Sequence, residues 1–376
     1  MIDLAVVAQD PRFAGGSRTV LDAFWREAEA LDRRPRLFHL AFRALAERPG
    51  IESDEVEAVG QALPQLDALN QLVAAARIGR RVREVRSLWV VAAAASHGYA
   101  AVRSGRPYAA WIGTSLDDEW RARLPGLPRS RRLALRVNRP VLRRLERRTL
   151  RGASLLYATS PWSRDRVAEA AGLDPARVGI LPIPVDADRF PPLPDEEWER
   201  QLERPAIAFV GRAADPRKNV RLLLEALPAV RARVPGAHVR LLGEPPPRPL
   251  PAGVTAAGRV PDVGAELRRA ALLVVPSLQE GFGIVAAEAL ACGVPVVTTP
   301  CGGPEALVRE SGGGRVLQGF EPEELAATLT ELLEDVGTLR ELRRRGRSHV
   351  LREHSPERLR RLLAEAFATL DAAGRN

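Results

Sequence analysis

Short hydrophobic runs alternate with longer, helix-like amphipathic segments along the whole chain. In the first half, the candidate strands are residues 4–9, 36–42, 87–93, 108–113, 154–160 and 178–183. In the second half, they are residues 206–211, 238–243, 253–258, 272–276, 295–299 and 314–318. Strands that alternate with helices predict a parallel sheet with crossover helices. The pattern therefore predicts an α/β fold.

Both halves begin with a strand, a loop that contains Gly and a helix, and a polar, Pro-rich stretch at 191–205 lies between them. We therefore expect two doubly wound, Rossmann-like domains, residues 1–190 and 206–355, joined by a linker at 191–205. Residues 356–376 are expected to form a C-terminal helix that packs back on the N-terminal domain. Open α/β sheets bind ligands at the carboxyl ends of their strands. The central cleft between two facing domains is therefore the expected active site.

The composition is that of a globular protein: 376 residues, of which 45% are hydrophobic and 27% charged. The apolar run at 88–95 is far shorter than the roughly 18 residues that a membrane-spanning helix needs. No basic leader precedes the first apolar run, so we expect a cytoplasmic protein. Cys292 and Cys301 are too few for a disulfide framework and lack metal-ligand spacing, and we interpret both as buried thiols.

The net charge of +9 is concentrated in one basic segment, residues 129–151, with ten arginines and one acidic residue, Glu146. Pro140 is expected to divide this segment into two helices. Its apolar residues recur every four positions, at Leu133, Val137, Val141 and Leu145. Such a pattern fits a helix that lies on an anionic membrane. It fits equally a helix that buries its apolar stripe on the sheet and exposes its arginines.

Lys218 is the only lysine, since the other 55 basic residues are arginine. Asp215 is a plausible N-cap and Pro216 a plausible first helical residue, which places Lys218 in the first turn of a helix. A cation is unfavourable there unless an anion is bound, because the helix dipole already supplies positive charge. Arg212, in the loop before it, adds to the same field. The segment predicts either an anion site or a solvated basic turn.

Residues 276–307 combine a buried strand end, a Gly-containing loop and a helix of small residues. The loop carries Glu280 and Gly283, and the helix carries Glu288. Glycine lets the backbone approach a ligand closely, and a helix N-terminus presents unpaired N–H groups to an anion. A carboxylate on so apolar a helix is costly unless it is paired or bound to a ligand. The segment therefore predicts a ligand site.

The E-x7-E spacing of Glu280 and Glu288, within residues 280–297, resembles the signature of the family-4 retaining glycosyltransferases. Arg212 and Lys218 resemble the diphosphate-binding pair of the same family. Residues 158–190 resemble its inter-domain region, and residues 14–19 its N-terminal Gly-Gly loop. The resemblance implies the GT-B fold, with the acceptor bound by the N-terminal domain and a nucleotide-sugar by the C-terminal domain.

The resemblance also implies a role for each matching residue. Arg212 and Lys218 would hold the diphosphate of a UDP-, GDP- or ADP-sugar, Glu288 its ribose and Glu280 its sugar. The backbone at Gly283 and Ile284 would cap the diphosphate. The residues implied in catalysis are Glu280, Arg212, Lys218 and His97, and those of the N-terminal loop implied in donor binding are Gly15 and Gly16. No metal or other cofactor is expected, because fixed cations and helix dipoles can stabilise the leaving diphosphate.

The chain departs from the family pattern at three places. Many relatives have a histidine where this chain has Gly113, and His97 is the candidate replacement, with a purely structural histidine as the alternative. Residues 182–186 read Pro-Ile-Pro-Val-Asp where Pro-Asn-Gly-Val-Asp is common. The Asp-Ala-Asp at 186–188 matches a metal-binding motif, but it lies in a loop that leads to the linker, and we expect no metal there.

Two hypotheses follow. The first is a retaining, metal-independent glycosyltransferase whose Thr114 and Asp117 bind acceptor hydroxyls, although the turn at 116–119 could instead be merely solvated. The acceptor would be a glycan, a lipid or a small molecule, and the basic segment would allow a peripheral position on the inner face of the membrane. The second is a non-catalytic protein on a degenerate GT-B fold that binds a partner or nucleic acid. Nucleic acid fits poorly, because no aromatic residues interleave the arginines.

Overall fold

Strands and helices alternate through the residues that the computed structural model describes, which are 2–10, 16–41, 56–61, 65–244 and 250–374. They form two compact units. The first unit comprises Met1–Pro184 and Pro356–Asn376, and the second comprises Val185–Ser355. Each unit contains one parallel sheet with crossover helices.

The first unit has a seven-stranded sheet. Its strands are β1 (Ile2–Val7), β2 (Pro35–Ala41), β3 (Val56–Gln61), β4 (Val85–Ala92), β5 (Ala109–Ile112), β6 (Leu155–Ala158) and β7 (Gly179–Ile180). Their order in the sheet is β3-β2-β1-β4-β5-β6-β7. The helices between them are α1 (Gly16–Glu29), α2 (Asp67–Arg81), α3 (Tyr99–Ser104), α4 (Leu116–Arg123), α5 (Arg129–Gly152) and α6 (Pro161–Ala171).

The second unit has a six-stranded sheet. Its strands are β8 (Ala206–Val210), β9 (His238–Leu242), β10 (Val254–Gly258), β11 (Leu272–Val275), β12 (Val296–Thr298) and β13 (Gly314–Val316), in the order β10-β9-β8-β11-β12-β13. Its helices are α7 (Asp195–Gln201), α8 (Val220–Arg233), α9 (Val263–Arg268), α10 (Ile284–Ala291), α11 (Gly303–Ser311), α12 (Pro322–Glu334) and α13 (Val336–Glu353). A last helix, α14 (Pro356–Ala373), belongs to the first unit.

All twelve predicted strands are present, and the prediction of two doubly wound α/β sheets is confirmed. The central strands read as continuous apolar runs because helices cover both faces of a parallel sheet. In β1, for example, residues 4–7 are fully buried. The sequence pattern missed β3, which contains Glu57 and Gly60. It lies at the sheet edge and pairs only with β2, a position that requires no such apolar run.

Helix α14 completes the core of the first unit. Its Phe367 packs against Phe24 and Trp89, with ring centroids 6.3 and 5.3 Å apart. Near its end, Asp371 accepts a hydrogen bond from Arg33 at 2.6 Å and one from Ser87. Burial opposes ionisation, but these hydrogen bonds lower the pKa of Asp371. Helix α14 thus packs against α1 and β4, although it lies almost 300 positions or more away from them in the sequence.

The stretch expected to be a linker lies within the second unit. Residues 195–201 form α7, and its Trp198 is fully buried in the core of that unit. The guanidinium of Arg343 lies 5.0 Å from the Trp198 ring centroid. The chain passes between the units at Pro184 and again at Ser355, rather than at 191–205. The prolines and charged residues of 191–205 are typical of an exposed stretch, but Trp198 packs into the core and anchors it.

Helix α5 corrects two expectations about the basic segment. It runs unbroken from Arg129 to Gly152 with Pro140 inside it. Pro140 lies on the exposed side, where water can satisfy the carbonyl group that the missing N–H leaves unpaired. The buried face is formed by Leu135, Asn138, Leu142, Leu145, Glu146, Thr149 and Leu150. Of the predicted apolar stripe, only Leu145 packs on the core.

The other three residues of the stripe are exposed. Leu133, Val137 and Val141 have 63%, 70% and 40% of their surface accessible. The interpretation that the stripe packs against the sheet is therefore wrong for these positions. Among the described residues, no helix has the length and apolar character needed to cross a bilayer.

Candidate functional site

The strand order of the second sheet marks the position of a ligand site. β8 and β11 are neighbours, but the strands that follow each of them lie on opposite sides. The loops after β8 and β11 therefore diverge and leave a crevice at the carboxyl ends of the strands, where open α/β sheets bind ligands. Arg212 and Lys218 follow β8, and Glu280 and Gly283 follow β11.

The loop after β8 presents Lys218 in a different local structure from the one predicted. Residues 216–218 form a single 3-10 turn, capped by the side chain of Asp215, which accepts a hydrogen bond from Arg217 N at 3.0 Å. Asn219 then adopts a left-handed conformation with φ of 47°, and α8 begins only at Val220. Lys218 thus precedes the helix instead of lying in its first turn.

An ion pair joins the loop after β8 to the loop after β11. Lys218 Nζ contacts Glu280 Oε1, and the two side chains are only 20% and 13% exposed. Ser277 Oγ donates a second hydrogen bond to the same carboxylate oxygen, at 2.9 Å. Leu278 N donates to the carbonyl oxygen of Arg217 at 2.8 Å. The structure therefore brings together the lysine and the carboxylate that lie 62 positions apart in the sequence.

The loop after β11 is held in place by the loop after β12. Glu280 N donates to Cys301 O at 2.8 Å, and Gly303 N donates to Glu280 O at 3.0 Å. Gly283 has a φ of 84°, and a Cβ atom there would lie 2.4 Å from the Pro304 ring. Glycine is therefore required both by conformation and by space. The backbone enters α10 in one fixed path.

Helix α10 begins at Ile284 without a side-chain cap. Ala286 N already donates to Gly283 O at 2.8 Å, and the N–H groups before it, at Ile284 and Val285, can meet an anion at the end of the Glu280 loop. This places the predicted backbone elements, Gly283 and Ile284, beside the Lys218–Glu280 pair. Arg212, by contrast, is 56% exposed and pairs with Asp215 at 3.1 Å.

Glu288 lies one turn into α10 and has an unusual environment. Its carboxylate makes no hydrogen bond or ion pair with any residue that the structure describes. Burial raises the pKa of Glu288 from 4.5 to about 7, and the Arg189 charge opposes this only in part. A carboxylate held in this state is prepared to accept hydrogen bonds that the protein itself does not provide.

Three other predicted features can be placed. In the Asp-Ala-Asp sequence, Asp186 Oδ1 accepts a hydrogen bond from Asp188 N at 3.1 Å, which forms a local turn. Cys292 and Cys301 are buried free thiols, as predicted. Burial raises the pKa of each to about 12. Burial disfavours the thiolate form of both residues, as expected for structural thiols.

The first sheet has its own reversal of strand order, between β1 and β4. His97 lies in the 3-10 turn that follows β4, with Nδ1 3.2 Å from Ala94 O. Gly113 follows the adjacent strand β5, and its carbonyl oxygen accepts a hydrogen bond from Ser163 Oγ at 2.8 Å. The Gly-Gly loop follows β1: Gly16 is the first residue of α1, and Gly15 lies outside the described residues.

The two predicted acceptor residues differ in their availability. Thr114 is buried, and its Oγ1 has no hydrogen-bond partner among the residues that the structure describes. Asp117 is already occupied, because Arg139 donates to it at 3.0 Å and Arg143 at 2.7 Å. Although burial opposes ionisation, these bonds lower the pKa of Asp117. Asp117 is therefore paired and not merely solvated, and its role in binding an acceptor hydroxyl stays a prediction.

One residue of the site was missed from the sequence. Ser277 is 1% exposed and orients Glu280. Its position, two residues beyond the end of β11, is the only sequence signal that could have indicated it.

Residues 204–335 match the protein family described as glycosyl transferases group 1. This part of the chain resembles a glycosyltransferase group 1 domain. The matched region contains all the site residues described for the second unit, namely Arg212, Lys218, Glu280, Gly283, Ile284 and Glu288.

Two named relatives resemble larger parts of the chain. A D-inositol 3-phosphate glycosyltransferase from Geodermatophilus obscurus is 34% identical over 216 residues, which is 50% of this chain and 47% of that protein. A GDP-mannose-dependent alpha-(1-6)-phosphatidylinositol monomannoside mannosyltransferase from Mycobacterium tuberculosis is 32% identical over 258 residues, 62% of this chain and 66% of that protein. The chain spans about half the length of the inositol-phosphate relatives that it matches.

Solved structures extend the likeness to the whole fold. HepE from Anabaena, in complex with UDP, has a TM-score of 0.74 at 19% identity and covers 98% of this chain and 100% of its own. Sucrose-phosphate synthase from Thermosynechococcus elongatus has a TM-score of 0.77 at 18% identity, covering 99% and 100%. The expected GT-B fold class, with its two Rossmann-like sheets, is confirmed.

Proposed function

We propose that this protein transfers a sugar from a nucleoside-diphosphate sugar to an acceptor hydroxyl, with retention of configuration and without a metal ion. The observation that carries the proposal is the Lys218–Glu280 pair in the crevice after β8 and β11, directly before the uncapped first turn of α10. Lys218 contacts Glu280, and the start of α10 follows Glu280 by four residues, so a cation and a helix N-terminus belong to one short stretch of the site.

The diphosphate is the part of the donor that this arrangement fits best. In this structure Lys218 forms an ion pair with the carboxylate of Glu280. When the donor binds, a phosphate oxygen would take the place of that carboxylate. The first-turn N–H groups at Gly283 and Ile284 would bind the same diphosphate, since negative charge is favoured at a helix N-terminus. Arg212 lies in the same loop as Lys218, is 56% exposed, and would supply a second cation to the diphosphate.

The remaining groups of the site fit the two ends of the donor. Glu288 lacks partners of its own and would accept the ribose hydroxyls, which makes it the residue that identifies the nucleoside part. Glu280, released from Lys218, would contact the donor sugar. The HepE structure contains UDP, which supports a nucleotide ligand in this fold. The base and the sugar stay open among UDP-, GDP- and ADP-sugars.

Transfer breaks the bond between the anomeric carbon and a phosphate oxygen and forms one from that carbon to the acceptor oxygen. The acceptor proton passes to the departing diphosphate. Negative charge develops on the leaving phosphate, where Lys218 and the N–H groups of α10 are already oriented. These fixed positive groups are the reason to propose that no metal ion is needed. His97 and Thr114, at the carboxyl edge of the first sheet, are the proposed groups on the acceptor side.

The experiment is calorimetric titration with UDP, GDP and ADP, followed by transfer assays with the matching sugars. Lys218→Ala should weaken diphosphate binding roughly 30-fold, since it removes about 2 kcal/mol of charge-assisted hydrogen bonding. Lys218→Arg should restore part of it, because a planar fork replaces a point charge. The control is Arg221→Ala, a cation three positions on that is 83% exposed. Equal affinity in the Lys218→Ala and Arg221→Ala proteins would refute the site.

We also propose that the first unit rests on an anionic membrane surface through α5 and α2. The exposed stripe of α5, Leu133, Val137 and Val141, adjoins exposed leucines at the start of α2, which are Leu66, Leu69 and Leu72. Two bonds join the helices there: Ala68 N donates to Asn138 at 2.8 Å, and Arg131 pairs with Asp67. Apolar side chains would enter the interface while neighbouring arginines meet lipid phosphates.

Not all arginines of the basic segment are free to meet lipid phosphates. Arg143 is paired with Asp117, and Arg148 donates to Tyr99, whereas Arg129 and Arg136 have no carboxylate partner among the described residues. The wild-type protein should therefore sediment with phosphatidylglycerol vesicles at low salt. The double variant Arg136→Glu/Val137→Glu should no longer do so. The change Arg221→Glu in the second unit should have no effect. Binding that persists in the first variant would overturn this surface.

A non-catalytic protein on the same fold is the alternative. It would bind the nucleotide or a partner but never release free nucleoside diphosphate from a nucleotide-sugar. A glycosyltransferase should hydrolyse its donor slowly, and this hydrolysis should disappear in Lys218→Ala. A non-catalytic binding protein should show no donor hydrolysis in either form.

A further inference from the structure

A polar cavity in the first unit is lined only by residues of that unit. It has a volume of about 350 Å³ and opens between α4, α5 and α6. Four arginines and four carboxylates line it, together with Ser115 and Ala170. The volume lies near the lower end of the range of roughly 300–1,000 Å³ for small-molecule sites.

Most charges around this α4–α6 pocket already have partners. Asp117 accepts from Arg139 and Arg143, and Asp118 accepts from Ser115 Oγ at 2.6 Å. At the α6 side, Arg166 pairs with Glu169 at 2.9 Å. These pairs hold the side chains that line the pocket in place. Two further lining residues keep donors or acceptors that no described residue uses.

The first such group is Glu146, which is only 3% exposed. One of its oxygens accepts a hydrogen bond from Leu116 N, at the start of α4, at 2.8 Å. No bond to the other oxygen is made by any residue that the structure describes. Burial raises its pKa to about 7, and the charges of Asp117 and Glu119 contribute. A buried carboxylate with a vacant oxygen on a cavity wall favours a hydroxyl group as its partner.

The second group is Arg147, one residue further along α5. Its guanidinium makes no hydrogen bond or ion pair within the described part of the chain. Arg166 and Arg143 line the same cavity and keep donors beyond those used by their carboxylates. Several guanidinium groups facing one cavity form the preferred environment of a phosphate group, which they bind through paired N–H donors.

We propose that the α4–α6 pocket binds a small phosphorylated polyol, with its phosphate on Arg147 and Arg166 and a hydroxyl on Glu146. Glu146 and Arg147 line the same cavity, so one small ligand with a hydroxyl and a phosphate can reach both groups. The proposal rests on residues of the first unit alone and does not depend on the proposed sugar transfer.

The test uses glycerol 3-phosphate, inorganic phosphate and glycerol as probes, titrated by calorimetry. All measurements are made in the Lys218→Ala protein, so that phosphate bound in the second unit does not contribute. Glycerol 3-phosphate should bind more tightly than inorganic phosphate, and glycerol should not bind measurably. Arg147→Gln should weaken the binding of glycerol 3-phosphate at least tenfold. Arg144 is exposed and lies outside the pocket, so Arg144→Gln should leave this affinity unchanged.

Glu146→Gln supplies the second measurement. Glutamine keeps an oxygen for Leu116 N, so the fold is retained, but the hydroxyl acceptor at the vacant position is altered. At pH 8 this variant should lose the preference for glycerol 3-phosphate over inorganic phosphate. The proposal is overturned if the wild-type pocket binds no probe at millimolar concentration, or if Arg144→Gln weakens binding as much as Arg147→Gln. It is also overturned if Glu146→Gln keeps the full preference.

Discussion

Replacing Glu288 with Gln should stabilise the ligand-free protein and weaken nucleotide binding at the same time. Burial raises the pKa of Glu288 from 4.5 to about 7, and no described residue compensates its charge with a hydrogen bond. One pKa unit corresponds to about 1.4 kcal/mol. The ionised carboxylate therefore costs the folded protein at most about 3–4 kcal/mol.

The pH dependence follows from the direction of this shift. Between pH 4.5 and about 7, folded Glu288 retains a proton that the unfolded chain has lost. The free energy of unfolding therefore falls as the pH rises through this window, and the full penalty applies above it. Glutamine cannot ionise. Glu288→Gln should thus be more stable than the wild type by up to about 3–4 kcal/mol at pH 8, and by much less at pH 5.

Urea unfolding of both proteins at pH 5 and pH 8 measures the stability difference. Calorimetry at pH 8 with the preferred nucleoside diphosphate should show at least a tenfold loss of affinity, because glutamine presents a donor where the ribose needs an acceptor. Glu225→Gln, on the exposed side of α8, is the matched control and should change neither quantity. If the wild type and Glu288→Gln lose stability in parallel between pH 5 and pH 8, the reasoning is refuted.

Three further predictions concern the site and the C-terminal helix. Glu280→Gln frees Lys218, so a nucleoside diphosphate should bind at least as tightly as in the wild type while sugar transfer falls; weaker nucleotide binding by calorimetry would contradict this. Ser277→Ala removes the bond that orients Glu280 and should lower kcat about tenfold with little change in KM, as steady-state kinetics would measure. Asp371→Asn should lower the free energy of unfolding by about 1–3 kcal/mol at pH 7 in urea unfolding. The loss should be smaller at pH 3, because a carboxylate with a lowered pKa contributes stability that disappears as the pH falls.

The order of strands and helices could be predicted because each buried parallel strand is apolar by necessity. Residues 272–276 and 295–299, for instance, can hardly be anything else, and both are strands. The Gly-containing loop and the helix with Glu288 were equally readable, because Gly283 is required by backbone conformation and leaves a local signal. Local constraints are what a sequence expresses most directly.

The errors arose where distant contacts override local preference. Asp215 and Pro216 favour a helix start, but Asn219 turns the chain into a left-handed conformation after one 3-10 turn. The ion pair between Lys218 and Glu280 depends on the adjacency of β8 and β11, which no local pattern encodes. Similarly, the four-residue spacing on α5 indicates a continuous face but does not say which face the sheet covers.

The return of α14 to the first unit affects the order of events during synthesis. Residues 2–184 emerge first, yet the partner of Trp89 and Phe24, Phe367, is made only after the whole second unit. Where the chain enters and leaves that unit, Val185 N donates to His354 O at 2.7 Å, so the two ends of the inserted unit are tied together. The unit translated in the middle can therefore complete its fold on the ribosome, while the N-terminal unit waits with an open core until translation reaches α14.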